Sequence, residues 1–297
     1  MEINSLKSFL AVTSEESISR AAAVLNLTQP ALSRQMKKLE EELDTRLFER
    51  GRKITLTPAG YILKERAEEI VALADKAESD LKNTEKARGM ISIGSGGLSA
   101  NILLSEIMEE FRAENPEVSY NIYVNSAEYV RDMLDRGLLD FGLLLQPVDV
   151  TKYDFIELRE SERTGLFIRS DAPAARKGYA TANDLRKLPL IIPSRRSVQN
   201  DIANRIGISF SQMNIFATNN LCTNSVIFVK RGVAALLTIE GAVSDYQDSC
   251  LTFLPIKPEI SANTVFVWKK SSPSYGAAGR FLDFFRKEVG NYRKGKE

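Results

Sequence analysis

The segment Ser17–Gly60, SISRAAAVLNLTQPALSRQMKKLEEELDTRLFERGRKITLTPAG, carries the pattern from which the rest of the chain is read. Ile18, Ala21, Ala22 and Leu25 recur at three- and four-residue spacing, which places them on one face of a helix capped by Ser17. Asn26 and Leu27 break the period. Thr28 is then positioned as an N-cap that accepts free backbone N–H groups, and Pro30 falls in a first turn where no N–H is needed. The second helix has Leu32, Met36 and Leu39 as its apolar face. Gln29, Ser33 and Lys37 line up on another face, with Pro30 and Arg34 beside them. Two such helices across a three-residue turn predict a helix-turn-helix.

The outer face of the second helix has no acid. Gln and Arg can pair with base edges in a major groove while Ser and Lys reach phosphate. A solvated surface helix can have the same composition, so context has to separate the two. Leu47-Phe48 and Ile54–Leu56 predict a hairpin whose tip carries Arg50, Gly51, Arg52 and Lys53. A basic tip beside a recognition helix reads as a wing on the flanking backbone or minor groove.

Taken together, Ala21-Ala22, Leu25, Thr28–Gln35, Leu39-Glu40, Leu47–Arg50 and Leu56–Gly60 closely resemble the winged helix-turn-helix of LysR-type transcriptional regulators. The resemblance places Gln29, Pro30, Ser33 and Arg34 on the family's DNA-contacting helix and Arg50, Arg52 and Lys53 on its wing. Thr28 and Lys37, on the same surface, complete the candidate DNA-binding set.

Length and composition bound the remainder. A chain of 297 residues, 43% hydrophobic and 27% charged, suits two or three globular units. Its net charge of +1 is silent about nucleic acid, because acids elsewhere cancel the clusters at Arg34, Lys37 and Lys38 and at the hairpin tip. The opening MEINSLKSFLAV has no long apolar run and predicts no signal peptide. Leu6, Phe9, Leu10 and Thr13 mark a first helix packed on the helix-turn-helix. No membrane span is legible, and two cysteines without an export signal predict a cytoplasmic protein. With no histidine, the commonest general base and metal ligand are missing, so the reading is of a non-enzyme without cofactor or metal.

From Pro58 a helix free of Pro after its first residue runs to Arg88-Gly89, with Leu63, Ala67, Ile70, Ala74, Ala77 and Leu81 in coiled-coil-like steps. That stripe fits either a subunit-pairing seam or an ordinary amphipathic helix. In the family this linker pairs subunits, which also lets two half-sites of a dyad-symmetric operator be read together. Strands and helices then alternate in two series. Met90–Gly94, Val118–Val124 and Leu139–Leu145 are strands of the first. A crossing strand follows at Thr164–Ile168, and Asn183 caps a short helix of the second series. The alternation implies α/β lobes with parallel sheets, and the family resemblance implies the whole fold class: an N-terminal all-α winged helix-turn-helix with a long linker helix, then a C-terminal α/β two-lobed domain resembling periplasmic binding proteins. The domains read as 1–58, 59–89 and 90–297, with lobe I at about 90–163 and 265–297 and lobe II at about 164–264.

A ligand crevice between the lobes would be walled by loops after the strands: Ser95, Gly96, Ser99, Ser126 and Gln146 on one side, Ser194, Arg195, Thr218 and Asn219 on the other. Glycines before a helix expose N–H groups to an anion, and Arg195 can grip a carboxylate through two parallel hydrogen bonds. The loop matches no nucleotide-binding pattern, so a carboxylate effector is the expected guest. Cys222 and Cys250 allow a redox-responsive alternative beside the reading of two inert thiols. The reading is therefore a sequence-specific, ligand-modulated DNA-binding regulator, dimeric or tetrameric, with RNA polymerase as a further candidate partner. The rival classes are a solute-binding protein, which the two lobes alone permit, and an enzyme fused to a DNA-binding domain.

Overall fold

The computed structural model describes residues 1–51, 53–82, 88–149, 151–271 and 276–294. The chain divides into two compact units, Met1–Lys82 and Asn83–Glu297.

The first unit contains α1 (Ile3–Glu15), α2 (Ile18–Val24), α3 (Gln29–Glu42), the strands β1 (Phe48–Arg50) and β2 (Ile54–Leu56), and α4 (Pro58–Lys82). Ser17 caps α2 by accepting the Arg20 N–H, as its position in the sequence implies. Thr28 occupies the N-cap position of α3, but its side chain makes no capping bond, a correction to the sequence reading. With Pro30 in the first turn one donor is already absent, and the exposed helix end is left to solvent. Leu6, Phe9, Val12, Ala21, Ala22, Leu32, Met36, Leu39, Leu47, Phe48 and Ala67 form one buried cluster. Alanines at 21 and 22 let the helices approach closely, and Phe9 and Phe48 lie with ring centroids 5.2 Å apart.

The apolar stripe of α4 is divided. Leu63, Ala67 and Val71 pack on the cluster that includes α1, and Lys7 reaches Asp75 at 2.7 Å. Ile62, Ile70, Leu73, Ala77 and Leu81 stay exposed in the single chain. The predicted seam thus begins as an internal contact, and Leu73 joins its outward continuation.

The second unit starts with β3 (Gly89–Ser95), α5 (Asn101–Glu114), β4 (Val118–Val124), α6 (Ala127–Asp135) and β5 (Phe141–Leu145). The long β6 (Tyr153–Arg169) leads into α7 (Ala182–Lys187), β7 (Leu190–Pro193), α8 (Arg196–Ile206), β8 (Ile215–Asn219), α9 (Val226–Lys230), β9 (Ala235–Ile239) and β10 (Leu251–Pro255). The chain returns through β11 (Ser261–Lys269) and closes with α10 (Gly276–Lys294). One strand path, β4-β3-β5-β11-β6-β9-β7-β8, runs through the unit, with β10 also on β6. The first part of β6 pairs antiparallel with β11, and from Thr164 onward it pairs with β9 and β10. Each lobe therefore has its own sheet, and β6 belongs to both. In each lobe the helix-connected strands run parallel, β4-β3-β5 and β8-β7-β9, so their carboxyl ends carry the loops that matter for ligands.

The second unit differs from the sequence expectation in three local features. Asn183 does not cap α7; Thr181 does, in a capping box with Asp184, because an acid three residues on can return the bond to the cap's own N–H. The crossing strand is seventeen residues long rather than the five-residue Thr164–Ile168, since its charged first half pairs with β11 at an edge where alternation is weak. The helix expected over 221–230 is a 3-10 turn at Thr223–Ser225 followed by the short α9.

Candidate functional site

On α3, Leu32, Met36 and Leu39 are buried, while Gln29, Pro30, Arg34 and Lys37 are exposed and Ser33 is half-buried. Thr28 and Gln29 stand at the exposed start of the helix. Arg34 donates from Nε to the Pro30 carbonyl at 3.3 Å, which leaves the rest of its fork pointing outward. Lys37 lies 3.4 Å from Glu41 one turn on, an exposed pair of small energy. The structure brings all six helix residues of the candidate set onto one surface.

The hairpin pairs Phe48 with Leu56 and Arg50 with Ile54. Two contacts fix its base. Glu40 accepts the N–H groups of Leu47 at 2.7 Å and Phe48 at 3.2 Å. The Thr57 hydroxyl donates to the Arg46 carbonyl at 2.6 Å and accepts the Gly60 N–H at 3.0 Å. A Cβ on Gly60 would sit 2.2 Å from the Leu47 carbonyl oxygen, so only glycine fits. At the tip, Lys53 is not an open cation: its Nζ lies 2.7 Å from Glu16, which also accepts the Ile54 N–H through its carbonyl. The lysine beside it holds the Glu16 carboxyl below the usual carboxylate range. Arg52 lies outside the described residues, and of Arg50 only the backbone is described.

In the second unit, Ser95 ends β3, and Gly96, Ser99, Ser126 and Gln146 follow the carboxyl ends of lobe I strands; in lobe II, Thr218 and Asn219 end β8, and Ser194 and Arg195 follow β7. Their side chains are engaged differently from the sequence expectation. The Ser95 hydroxyl is buried and lies 2.8 Å from both the Gly96 carbonyl and Asn101 Oδ1, so the loop consumes it. Ser126 caps α6, Asn219 donates to Ser225, and Gln146 donates to Glu157. Ser194 and Thr218 are exposed.

The glycine loop already holds an anion, the chain's own. Glu162 of β6 is 1% exposed and accepts the Ser99 N–H with one oxygen and the Gly241 N–H, at 2.8 Å, with the other. Its neighbour Arg163 forms a two-pronged pair with Glu240, both bonds at 2.8 Å. Consecutive residues of the shared strand thus tie it to the start of α5 and to the turn after β9. Between the lobes, Arg195 Nε lies 3.1 Å from Glu128 of α6. That N–H is buried and not aligned for a hydrogen bond, so the contact is an ion pair alone. Burial first, then the nearby Arg131, pull the Arg195 guanidinium below its ordinary value, and Glu128 offsets part of this. Glu162, Gly241, Glu128 and Arg131 carry no local signal in the sequence, where each looks like a solvated charge or a turn glycine, and Glu40 stands in the family-like run without a role assigned to it.

Cys222 donates to the Ala242 carbonyl at 3.0 Å, and burial pushes its thiol up, away from thiolate chemistry; Cys250 is exposed. Among the described residues no group of His, Cys, Asp and Glu is arranged to hold a metal ion, and no helix is long and apolar enough to cross a membrane.

The family model described as bacterial regulatory helix-turn-helix protein, lysR family, matches residues 3–61, and the model described as LysR substrate binding domain matches residues 84–290. The chain belongs to the LysR family of transcriptional regulators. Among LysR relatives, the HTH-type transcriptional regulator YtlI of Bacillus subtilis (strain 168) is 28% identical over 223 residues, 72% of this chain and 71% of that protein. BsdA, an HTH-type transcriptional regulator from the same organism, is 25% identical over 301 residues, covering 96% of this chain and all of BsdA, 100%. The crystal structure of full-length CbnR complexed with its target DNA shares the fold, with a TM-score of 0.72 at 21% identity, covering 97% of this chain and 99% of CbnR. This LysR chain is accordingly a DNA-binding transcriptional regulator with an effector-binding domain, and its relatives are regulators rather than enzymes.

Proposed function

We propose that this regulator reads a dyad-symmetric operator with α3 and the wing, as a homodimer or homotetramer in the cytoplasm, under control of a small anion bound between the lobes. Thr28, Gln29, Pro30, Ser33, Arg34 and Lys37 enter the major groove, and Arg50, Arg52 and Lys53 hold the flanking backbone. The observation that carries this reading is the outward face of α3, where Gln29 and Arg34 are exposed with no carboxylate paired to the arginine among the described residues.

Pairing of subunits is supported by the exposed apolar stripe Ile70, Leu73, Ala77 and Leu81. It is supported as well by apolar side chains on both edge strands of the second unit, Ile122 and Val124 on β4 and Ile215 and Phe216 on β8. The domain scheme is a reading head at 1–58, a pairing helix from 59 to 89 and an effector domain from 90. The family reading extends to RNA polymerase as the contact that conveys the signal. An effector shifts the assembly only by its differential affinity for two arrangements, typically worth about 1–3 kcal/mol.

The test is a gel-shift titration of the chain's own upstream promoter against random duplex. Arg34→Ala should lose specific binding by roughly 1–3 kcal/mol, with Gln29→Ala additive or nearly so. Equal affinity of the double variant and the parent for the promoter refutes the assignment.

A further inference from the structure

Where the two lobes meet, a charge cluster is assembled from distant parts of the chain. Arg195, at the N-terminus of α8, faces Glu128 at 3.1 Å, and Arg131, one turn along α6, adds a second cation near it. Among the described residues Glu128 pairs with Arg195 alone and no carboxylate lies within ion-pair distance of Arg131, so the two neighbouring guanidiniums have one acid between them and carry one positive charge in excess. That acid is loosely held, with the Glu128 side chain 63% exposed against 32% for Arg195. The other place where the cleft offers donors to an anion, Ser99 N–H with Gly241 N–H, is filled by buried Glu162.

We propose that Arg131 and Arg195 form the seat of a small dianion, a phosphate monoester or a dicarboxylate, which binds by displacing the Glu128 carboxylate from Arg195. Glu128 is then an internal stand-in for the ligand. The inference rests on the interlobe-ligand reading above and names the chemistry of that site. Charge balance selects the dianion. A monoanion that replaced Glu128 would reproduce only what Glu128 already supplies, while a doubly charged group leaves the two cations fully compensated. Planar guanidinium forks match phosphate and carboxylate oxygens in pairs, and the partial burial of Arg195 strengthens the match. Because Glu128 belongs to lobe I and Arg195 to lobe II, exchange of acid for ligand replaces a tether between lobes with a bound molecule. The cost of breaking the tether lowers the apparent affinity of the ligand.

The experiment uses the full chain, thermal-shift and calorimetric titration, and inorganic phosphate and succinate as probes. Acetate at matched ionic strength is the control, above the second pKa of phosphate. At least one dianion should raise the melting temperature more than acetate does. R131Q and R195Q should each weaken that binding roughly tenfold, the value of one charge-assisted pair, while E128Q should tighten it. Since Glu128 is mostly exposed, E128Q keeps the fold testable if an arginine variant unfolds. A response to phosphate alone assigns a phosphate monoester, and one to succinate alone a dicarboxylate. The proposal is overturned if neither dianion outperforms acetate, if R131Q binds like the parent, or if E128Q binds more weakly. A dianion response that survives R131Q and R195Q but is lost when Thr218→Trp obstructs the cleft overturns this seat while leaving the interlobe-ligand reading intact.

Discussion

The Glu162 carboxylate accepts the backbone N–H of Gly241 at 2.8 Å, 79 residues away in sequence. A Cβ at position 241 would lie 2.3 Å from the Ser99 nitrogen and 2.6 Å from a Glu162 oxygen, so the approach requires glycine. Glu162→Ala leaves two inward N–H groups without an acceptor, and about 1–3 kcal/mol of stability should be lost for each that stays dry. Gly241→Ala should destabilise through displacement of the same three groups. Urea unfolding monitored at Trp268, in lobe I, measures both; midpoints equal to the parent's would contradict the account.

Glu40 plays the corresponding part in the first unit, joining the last turns of α3 to the hairpin through Leu47 and Phe48. Glu40→Ala should cost about 1.5–3 kcal/mol, the range for bonds to a charged acceptor, and Glu40→Gln less, since an acceptor remains. The wing should lose its fixed position as well. Promoter affinity should therefore fall further than the loss in folded fraction explains, as read by gel shift beside circular dichroism.

Glu16 competes with phosphate for Lys53. Glu16→Gln should free the cation, strengthen binding to duplex at low salt, and steepen the dependence of log K on log salt by about 0.9, one additional phosphate contact. An unchanged slope would mean that Lys53 does not reach the backbone.

Asp135 accepts from Lys152 at 2.8 Å and from the Tyr153 hydroxyl at 2.7 Å, and these bonds hold its carboxyl below the ordinary value of 3.8. A depressed folded-state pKa stabilises fully above the unfolded value and less as pH falls through the lower folded one. The melting temperature of the parent should thus exceed that of Asp135→Asn at neutral pH, and the gap should close in acid below the ordinary carboxylate range. A gap that widens on acidification would reverse the sign.

The two thiols should differ in reactivity. Cys250 is exposed, whereas Cys222 is half-buried, donates to Ala242 and has its ionisation opposed by burial. Alkylation followed by mass spectrometry should mark Cys250 first, and mild peroxide should leave promoter affinity unchanged. Loss of affinity that depends on Cys222 would restore the redox reading.

The reading head was legible in the sequence because its signals are local. The Ser17 cap, the break at Asn26-Leu27, Pro30 in a first turn and the period of Leu32, Met36 and Leu39 all act within a few residues of one another. The two-lobed order was legible for the same reason. Partners that are distant in sequence leave no such local mark: the Ser95–Ser99 loop has the composition of an open anion seat, but Glu162, which accepts the Ser99 N–H, is 63 residues from it. Glu128 and Arg131 look like the wet side of a helix until Arg195 is brought against them. The α4 stripe shows the same limit, because periodicity marks an apolar face without saying which part meets α1.

The sharing of β6 by both sheets makes lobe II an insertion within lobe I. It leaves at Thr164 and returns at Ile260, whose carbonyl accepts the Thr164 N–H at 2.8 Å, while the next pair, Arg163 and Ser261, already belongs to the host sheet. Grafting another regulator's second lobe onto this protein therefore demands two splices at one level of the ladder, and a chimera joined at only one of them severs the host sheet.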